Sequence, residues 1–357
     1  MKELRLMKGN EALAEAAIRA GVDAFYGYPI TPQSEIMEYL MAQKTQERTG
    51  MVTLQAESEV SSINMVYGAA GTGKKVMTSS SSPGISLMQE GISYIAGAEL
   101  PCLIVDVVRG GPGLGTIQPS QADYFQATKG GGHGDYHLIV LAPSSVQEMY
   151  DFVKLSFDLA FKYRNPAMIL SDGLIGQVME KVEISEQIPR TTSFDPSWTI
   201  TGKTPDRERN IITSLELDSA VMEKRNEKLQ AKYQKMQETE VRYEEVQCED
   251  ADYIFVAYGS SARICLKAVQ IARQKGIKVG LLRPITLFPF PTKPIAELSK
   301  RVKGFLAVEL SAGQMIEDVK LAVNGRTKAE HFGRMGGVVH TPGEVLEALE
   351  QKIIGGK

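Results

Sequence analysis

Short apolar runs alternate with amphipathic stretches from Leu6 to about Ser171. The runs have the length of buried strands, and the stretches between them repeat apolar residues at helical spacing. This alternation is typical of βα units built around a parallel sheet. The predicted strands are Ala24–Tyr28, Val52–Gln55, Lys75–Thr78, Cys102–Val108, Leu138–Leu141 and Ala167–Leu170. The predicted helices are Gly9–Ala20, Pro32–Ala42, Glu59–Ala70, Gly84–Ala96, Gln118–Ala127 and Ser145–Tyr163.

A second α/β unit is predicted after Ala251, with strands at YIFVAY, VGLLRP and FLAVEL and helices up to Lys275 and over Gln314–Val323. A chain of 357 residues exceeds what one hydrophobic core usually supports, so two domains are expected. We therefore predict a first domain over residues 1–185, a connector over 186–250 and a second domain over 251–357.

The connector contains a highly charged stretch in which Met222, Leu229, Met236 and Tyr243 recur every seven residues. This spacing predicts a long helix with one apolar face. That face either packs on its own chain or contacts another subunit.

The composition is that of an ordinary globular protein, with 43% hydrophobic residues, 23% charged residues and a formal charge of −3. Neither a nucleic-acid partner nor a membrane is indicated, and the N-terminus does not read as a signal peptide. We expect a cytoplasmic protein. Cys102, Cys248 and Cys265 stand far apart, whereas an iron–sulfur cluster usually needs four closely spaced thiolates. If single electrons leave the site, a partner must carry them.

The loops after the predicted strands are rich in Gly, Pro and Ser, as in YGYPITPQ, SSSSPG and RGGPGLG. Ligands of open α/β sheets collect at the carboxyl ends of strands, so these loops predict one composite site. Thr31 and Pro32 suit a helix N-cap and first position, where free amides and a hydroxyl could bind a carboxylate; a simple cap explains them equally well. Arg109 is placed to clamp a carboxylate, or else to pair with Asp106 or Asp123.

Two glutamates in LQAESEVSSIN lie where a strand leads into a helix. Glu57 is expected at the surface, whereas Glu59 begins the face that continues to Ile63 and therefore needs a strong partner. His133 and His137 fall in a glycine-rich loop, where a metal, substrate or interface role is left open. The near match GAAGTGKK is not a phosphate loop, because the order is helix, turn, strand and the last position is Lys75.

Four ordered blocks carry a family resemblance: YGYPITPQSE, LQAESEVSSINMVYGAAGTGKKVMTSSSSPGISLMQEG, AELPCLIVDVVRGGPGLGTIQPSQADYFQ and VGLLRPITLFPFP. Together they resemble the alpha subunit of 2-oxoacid:ferredoxin oxidoreductases, most closely the members that act on 2-ketoisovalerate. The resemblance implies an α/β thiamine-diphosphate-binding fold, with a pyrimidine-binding domain followed by a domain like the transketolase C-terminal domain. It also implies that thiamine diphosphate is shared with a beta subunit that supplies Mg²⁺ and an iron–sulfur cluster.

By position in its motif, Glu59 is implied to hydrogen-bond the aminopyrimidine ring, which activates the cofactor. Thr31 and Arg109 are implied to hold the carboxylate and carbonyl oxygen of the oxoacid. Pro29, Ile30 and Ser82 are implied to contact the cofactor, although SSSSPG departs here from the Thr-Ser-Gly-Pro-Gly of many relatives.

The implied reaction is oxidative decarboxylation of a branched-chain 2-oxoacid, with coenzyme A taking the acyl group and ferredoxin the electrons. Because some relatives carry an extra N-terminal domain that this sequence lacks, a separate gamma subunit is expected beside the beta subunit, with a delta subunit as a further option. The alternatives are 2-oxoglutarate or pyruvate as substrate, or a non-catalytic scaffold subunit.

Overall fold

A computed structural model describes residues 3–190 and 195–355. Residues 191–194 of the predicted connector, and residues 1, 2, 356 and 357 at the ends of the predicted domains, lie outside the described residues. The strands are β1 (Glu3–Lys8), β2 (Ala24–Gly27), β3 (Val52–Gln55), β4 (Val76–Ser80), β5 (Leu103–Val108), β6 (Ile139–Leu141), β7 (Ala167–Asp172), β8 (Met179–Ile184), β9 (Tyr243–Val246), β10 (Tyr253–Val256), β11 (Val279–Pro284), β12 (Thr286–Phe288), β13 (Gly304–Glu309) and β14 (Lys328–Gly333). The helices are α1 (Gly9–Arg19), α2 (Ser34–Ala42), α3 (Thr45–Thr49), α4 (Glu59–Ala70), α5 (Ser82–Gly97), α6 (Tyr124–Thr128), α7 (Val146–Tyr163), α8 (Gly173–Gln177), α9 (Ser219–Thr239), α10 (Gly259–Gln274), α11 (Thr292–Leu298), α12 (Met315–Val323) and α13 (Pro342–Leu349), which continues into a π-helical turn (Glu350–Ile354).

The first sheet has seven strands in the order β12-β6-β7-β5-β4-β2-β3. Its neighbours pair in parallel, except that β12 is antiparallel to β6. Every residue of β4, β5 and β7 is buried, because helices cover both faces of the sheet. One face packs against α1, α2 and α7, and the other against α4 and α5. The carboxyl ends of β2, β4 and β5 therefore lie at one edge.

The second sheet has the order β14-β13-β10-β11-β9, parallel except for β9. The two sheets are interlocked. Strand β12 follows β11 in the chain but pairs with β6 of the first sheet, and β9 comes from the connector but pairs with β11. One buried cluster also extends from residues of the first sheet, such as Ile104, to residues of the second, such as Phe305.

The charged connector forms α9, and its apolar face packs on the same chain. Leu229, Tyr233 and Met236 are buried in the shared core. Met222 is 37% exposed, and Tyr243 lies in β9 instead of on the helix. The predicted seven-residue repeat therefore describes only the middle of the apolar face.

Two predicted helix boundaries are wrong. Helix α2 begins at Ser34 with Gln33 at the N-cap, so Pro32 is not its first residue and Thr31 is not its cap. Instead of Gln118–Ala127, only Tyr124–Thr128 is helical. The preceding residues are extended because their backbone bonds elsewhere: Gly110 N donates to Gln118 O, and Gln121 N donates to Leu310 O.

Other expectations are met. All three cysteines are buried and unpaired. Helix α4 ends at Ala70 and β4 begins at Val76, so GAAGTGKK has the predicted order of helix, turn and strand. None of the helices formed by residues 3–190 and 195–355 is long and apolar enough to cross a bilayer.

Candidate functional site

Arg109, directly after β5, joins two loops at the carboxyl edge of the first sheet. Its Nη1 donates to Thr31 O at 3.0 Å and its Nη2 donates to Leu114 O at 2.9 Å. The side chain is 7% exposed, and its buried Nε has no partner among the described residues. The alternative of a salt bridge to Asp106 or Asp123 is not found among the described residues, because the guanidinium is turned toward carbonyl groups. The structure thus brings Thr31 and Arg109 together, but through the Thr31 backbone.

Ser82, the first residue of α5, fixes the backbone of Arg109. Its hydroxyl oxygen accepts the Arg109 N–H at 3.1 Å and lies 3.3 Å from Arg109 O, to which it donates. Its own amide donates to Asp106 Oδ1 at 3.2 Å. Ser82 therefore couples the start of α5 to the position of Arg109.

Glu59 is the first residue of α4, after the Ser58 N-cap, whose hydroxyl accepts the Ser61 amide at 3.2 Å. The Glu59 side chain is buried, with 7% of the residue exposed. Glu57 is exposed and bonds the hydroxyls of Ser58 and Ser61. Within the described part of the chain, no group donates a hydrogen bond to the Glu59 carboxylate. The Glu59 oxygens are not among the fully buried unbonded atoms, so the carboxylate still reaches the surface and is available to an external partner.

Gly84 lacks a side chain where Glu59 and Ser80 pack against the start of α5. A Cβ at this position would lie 2.8 Å from Glu59 Oε1 and 2.1 Å from Ser80 Oγ. The hydroxyls of Ser80 and of the next residue, Ser81, are buried without partners among the described residues. The accessible, unbonded Glu59 carboxylate fits a polar heteroaromatic ring, which could donate a hydrogen bond to it.

The predicted contact loop after β2 borders Arg109. Pro29 and Thr31 are exposed and Ile30 is half-buried. The loop is anchored by Gln33, whose Nε2 donates to Tyr28 O at 3.1 Å and whose Oε1 accepts from Ser79 Oγ at 2.6 Å. Sequence reasoning missed Gln33, since nothing in its local pattern marks it as buried.

A cavity of about 420 Å³ lies between the loops of the two sheets. The residues that line it are Ser82, Pro83, Ser86, Arg109, Gly111, Pro112, Gly113, Ser120, Ala122, Asp123, Leu310, Ser311, Ala312, Gln314, Met335 and Gly336. Glu59 is not among them, so the cavity meets the Arg109 side of the site. Arg109 is the one cation among these residues.

The histidines do not join this site. The His137 ring stacks on Phe288 at 4.2 Å, Nδ1 lies 3.0 Å from Thr128 O, and burial lowers the pKa of His137. His133 is exposed and lies edge-on to Tyr94. Over residues 3–190 and 195–355, no three His, Cys, Asp or Glu side chains are grouped so as to hold a metal ion.

Comparisons with known proteins agree with this geometry. Residues 15–249 match the family "Pyruvate flavodoxin/ferredoxin oxidoreductase, thiamine diP-bdg", and residues 251–345 match "Pyruvate:ferredoxin oxidoreductase core domain II". The ketoisovalerate oxidoreductase subunit VorB of Methanothermobacter marburgensis is 50% identical over 97% of each chain. The 2-oxoglutarate synthase subunit KorA of the same organism is 36% identical over 98% of this chain and 99% of that one.

Solved structures of other proteins also superpose on this chain. The 2-oxoglutarate:ferredoxin oxidoreductase of Magnetococcus marinus, with 2-oxoglutarate, coenzyme A and succinyl-CoA bound, superposes with a TM-score of 0.86 at 28% identity. That match covers 98% of this chain but only 65% of the other chain. A split-gene transketolase, at 14% identity and a TM-score of 0.61, shares the fold over 98% of each chain. The α/β thiamine-diphosphate-binding fold is therefore confirmed, and the chain belongs to the 2-oxoacid:ferredoxin oxidoreductase family.

Proposed function

We propose that this chain is the pyrimidine-binding subunit of a thiamine-diphosphate-dependent complex that converts a branched-chain 2-oxoacid and coenzyme A to acyl-CoA and CO₂ while reducing ferredoxin. The largely buried Glu59 side chain, whose carboxylate has no partner among the described residues, is the observation that carries this proposal. Half of the aligned residues are identical to those of a ketoisovalerate oxidoreductase subunit, which favours the branched-chain substrate.

Glu59 would hold a proton at a pyrimidine ring nitrogen, because burial without another donor strengthens its preference for that partner. Thiamine diphosphate, when bound, supplies the nucleophilic carbon and the electron sink of the reaction. Ser82, Pro29 and Ile30 would line the ring, and the unfilled hydroxyls of Ser80 and Ser81 would be hydrogen-bond partners.

Arg109 and Thr31 would position the oxoacid. The buried Arg109 Nε is a donor without an acceptor in the described chain, and the exposed Thr31 lies next to it. Charge-assisted bonds from Arg109 to the substrate carboxylate would fix the carbonyl carbon for attack. A second substrate carboxylate, as in 2-oxoglutarate, would need a second cation, and no other residue that lines the described cavity is one.

Partner subunits would complete the site. The chain has three cysteines, all buried, so the iron–sulfur cluster and the Mg²⁺ that holds the diphosphate are assigned to a beta subunit. Exposed apolar side chains on β3, α4 and α5 support docking of a partner, namely Val52, Leu54, Val60, Met65 and Leu87. A gamma subunit, and a delta subunit in some forms, would complete a cytoplasmic complex. We also propose that the chain is divided into a first domain over residues 1–185, a connector over 186–250 and a second domain over 251–357.

The test is Glu59→Gln in the purified complex, with Glu57→Gln as the matched control two residues away. We expect Glu59→Gln to lower oxoacid- and coenzyme-A-dependent reduction of a one-electron acceptor by about 10²–10⁴-fold, because the amide is a poor proton acceptor. The exposed Glu57→Gln variant should stay within about threefold of the unmodified complex, as is usual for surface changes.

A panel of 2-oxoacids in the same assay identifies the substrate class. Branched-chain oxoacids are expected to give the highest kcat/KM. Full activity of Glu59→Gln would instead show that the chain is a scaffold, and a preference for 2-oxoglutarate would overturn the branched-chain assignment.

A further inference from the structure

Asp106 and Asp123 are two acidic residues near Ser82, of which Asp106 is buried and Asp123 is half-buried. Asp106 lies in β5, is 1% exposed, and uses Oδ1 to accept the Ser82 amide at 3.2 Å. Asp123 is the N-cap residue of α6 and reaches the wall of the cavity. Each carboxyl group has a buried Oδ2 without a partner among the described residues.

The two carboxyl groups lie near each other, because Asp106 is bonded to Ser82, and Ser82 and Asp123 line the same cavity. Burial and the neighbouring Asp123 raise the pKa of Asp106 well above its ordinary range, and burial raises the pKa of Asp123. Two adjacent carboxylates in a buried site cannot both be ionised without a cation. Arg109, the one cation among the described residues that line the cavity, is held by the carbonyl groups of Thr31 and Leu114.

Apart from Arg109, the described groups around the pair are polar or acidic, and they include Glu309 and Asp172, which act on the same Tyr258 hydroxyl as the pair does. Helix α5 contributes Ser82, which bonds Asp106 through its amide. The second unit contributes Tyr258, whose hydroxyl donates to Gln121 O at 3.2 Å and whose pKa is raised well above its ordinary range by burial and nearby acids. The pair therefore needs a proton to stay buried.

We propose that Asp106 and Asp123 hold one proton between them and that this shared-proton pair positions Arg109 for the substrate by acting through Ser82. The inference rests on the proposed function only for the role of Arg109. The chain of contacts is short: Asp106 fixes the Ser82 amide, and the Ser82 hydroxyl fixes both the N–H and the carbonyl group of Arg109.

Loss of the shared proton would displace Asp123 and, with it, the Arg109 guanidinium. Two facing anions would repel, and Asp123 has the cavity into which it can move. Arg109 is the only cation among the described lining residues, so the displaced carboxylate would pair with it and draw the guanidinium from Thr31. Substrate binding would then weaken at high pH while the chemical step persisted.

The test compares Asp123→Asn and Asp106→Asn, each of which replaces one acid by a neutral group of the same shape, with the surface control Asp158→Asn. In the unmodified complex and in the control, KM for the 2-oxoacid should rise about tenfold per pH unit above the pKa of the pair, with little change in kcat. Asp123→Asn should abolish that rise. An unchanged pH profile of KM in both pair variants would overturn the proposal.

A second readout does not depend on activity. In the folded full chain, the pair keeps a proton that the same aspartates release in the unfolded chain. The free energy of unfolding should therefore fall as pH rises from the ordinary aspartate range to the raised pKa of the pair. Asp123→Asn or Asp106→Asn should remove this decline in urea unfolding, and an infrared band of a protonated carboxylic acid should disappear.

The two readouts separate the possible failures. If the unmodified complex shows no oxoacid-dependent reduction, the proposed function fails, while unfolding and infrared spectra still test the proton. If Glu59→Gln is inactive but the aspartate variants behave as the control does, only the shared-proton pair fails.

Discussion

At the scale of single residues, the site depends on the absence of a side chain at Gly84. Gly84 faces Glu59 and Ser80, and no local turn requires a glycine there because its φ is not in the left-handed region. The sequence predicted that Glu59 would be the buried glutamate, since it begins the apolar face of a helix. It did not predict that Glu59 packs at Gly84, because that contact joins α4 to α5.

Gly84→Ala is expected to lower the free energy of unfolding by about 1–3 kcal/mol, because the new Cβ would overlap Ser80 Oγ and crowd Glu59. The matched control is Gly68→Ala in α4, where nothing lies within 4 Å of the new Cβ. That change should raise stability by about 0.5–1 kcal/mol through helix propensity. Urea unfolding of both variants measures the difference. A Gly84→Ala chain as stable as Gly68→Ala would contradict this account of the packing at Gly84.

The backbone contacts of Arg109 were not predicted from the sequence. Its position directly after an apolar strand was predicted correctly, whereas its role in a composite site stays a prediction. Its contacts with the carbonyl groups of Thr31 and Leu114 are made by loops distant in sequence, and no local pattern encodes them. Asp106 carried a usable signal, because a charged residue within the buried strand LIVDVV must be neutralised or bonded.

At the scale of elements, strands were predicted to within a few residues and helix ends less well. The buried strands are continuous apolar runs, so their position follows from the sequence alone. The segment before α6 was predicted as helix, yet its backbone bonds Leu310 and β5-adjacent Gly110 instead. Helix propensity is a weak preference that such tertiary bonds override.

The packing of helix α9 on the core predicts different effects of substitutions at two of its methionines. Met236 is fully buried against the core, whereas Met222 on the same helix is 37% exposed. Met236→Ala should lower the free energy of unfolding by about 2–5 kcal/mol, because it leaves a cavity. Met222→Ala should change it by about 0.5 kcal/mol or less. Equal effects of the two substitutions in denaturant unfolding would show that α9 does not pack on this chain as described.

At the scale of the whole molecule, buried polar bonds join the two sheets. Gln121 is the centre: its Nε2 donates to Tyr258 O at 2.9 Å, and its Oε1 accepts from Ser261 Oγ at 2.8 Å and from the Leu310 amide at 2.9 Å. Such a buried network is favourable only while every member is bonded. It therefore holds the two units in one arrangement around the cavity.

His340 makes this junction sensitive to acid. Its Nε2 lies 3.2 Å from Ser261 Oγ, and burial, with repulsion from Arg334, lowers the pKa of His340 to about 4. The unfolded chain takes up this proton near pH 6.5, before the folded chain does, so stability should fall as pH drops from 6.5 toward 4. The loss attributable to this group is on the order of 3 kcal/mol. His340→Gln should remove that part of the decline in unfolding measurements from pH 7 to 4, and an unchanged decline would contradict the assignment.

The sequence by itself determined the α/β class, the positions of nine of the strands along the chain, and the residues expected at the carboxyl edge of the first sheet. These follow from periodicity and from the chemistry of each residue type, which are local properties. Only the tertiary structure decided the order of the strands in the sheets, which loops touch Arg109, that Glu59 and Ser80 pack at Gly84, that Asp106 lies near Asp123, and that β9 and β12 interlock the two sheets. Those facts depend on contacts between segments far apart in the chain, and burial at such contacts, more than residue type, sets which polar groups need a partner.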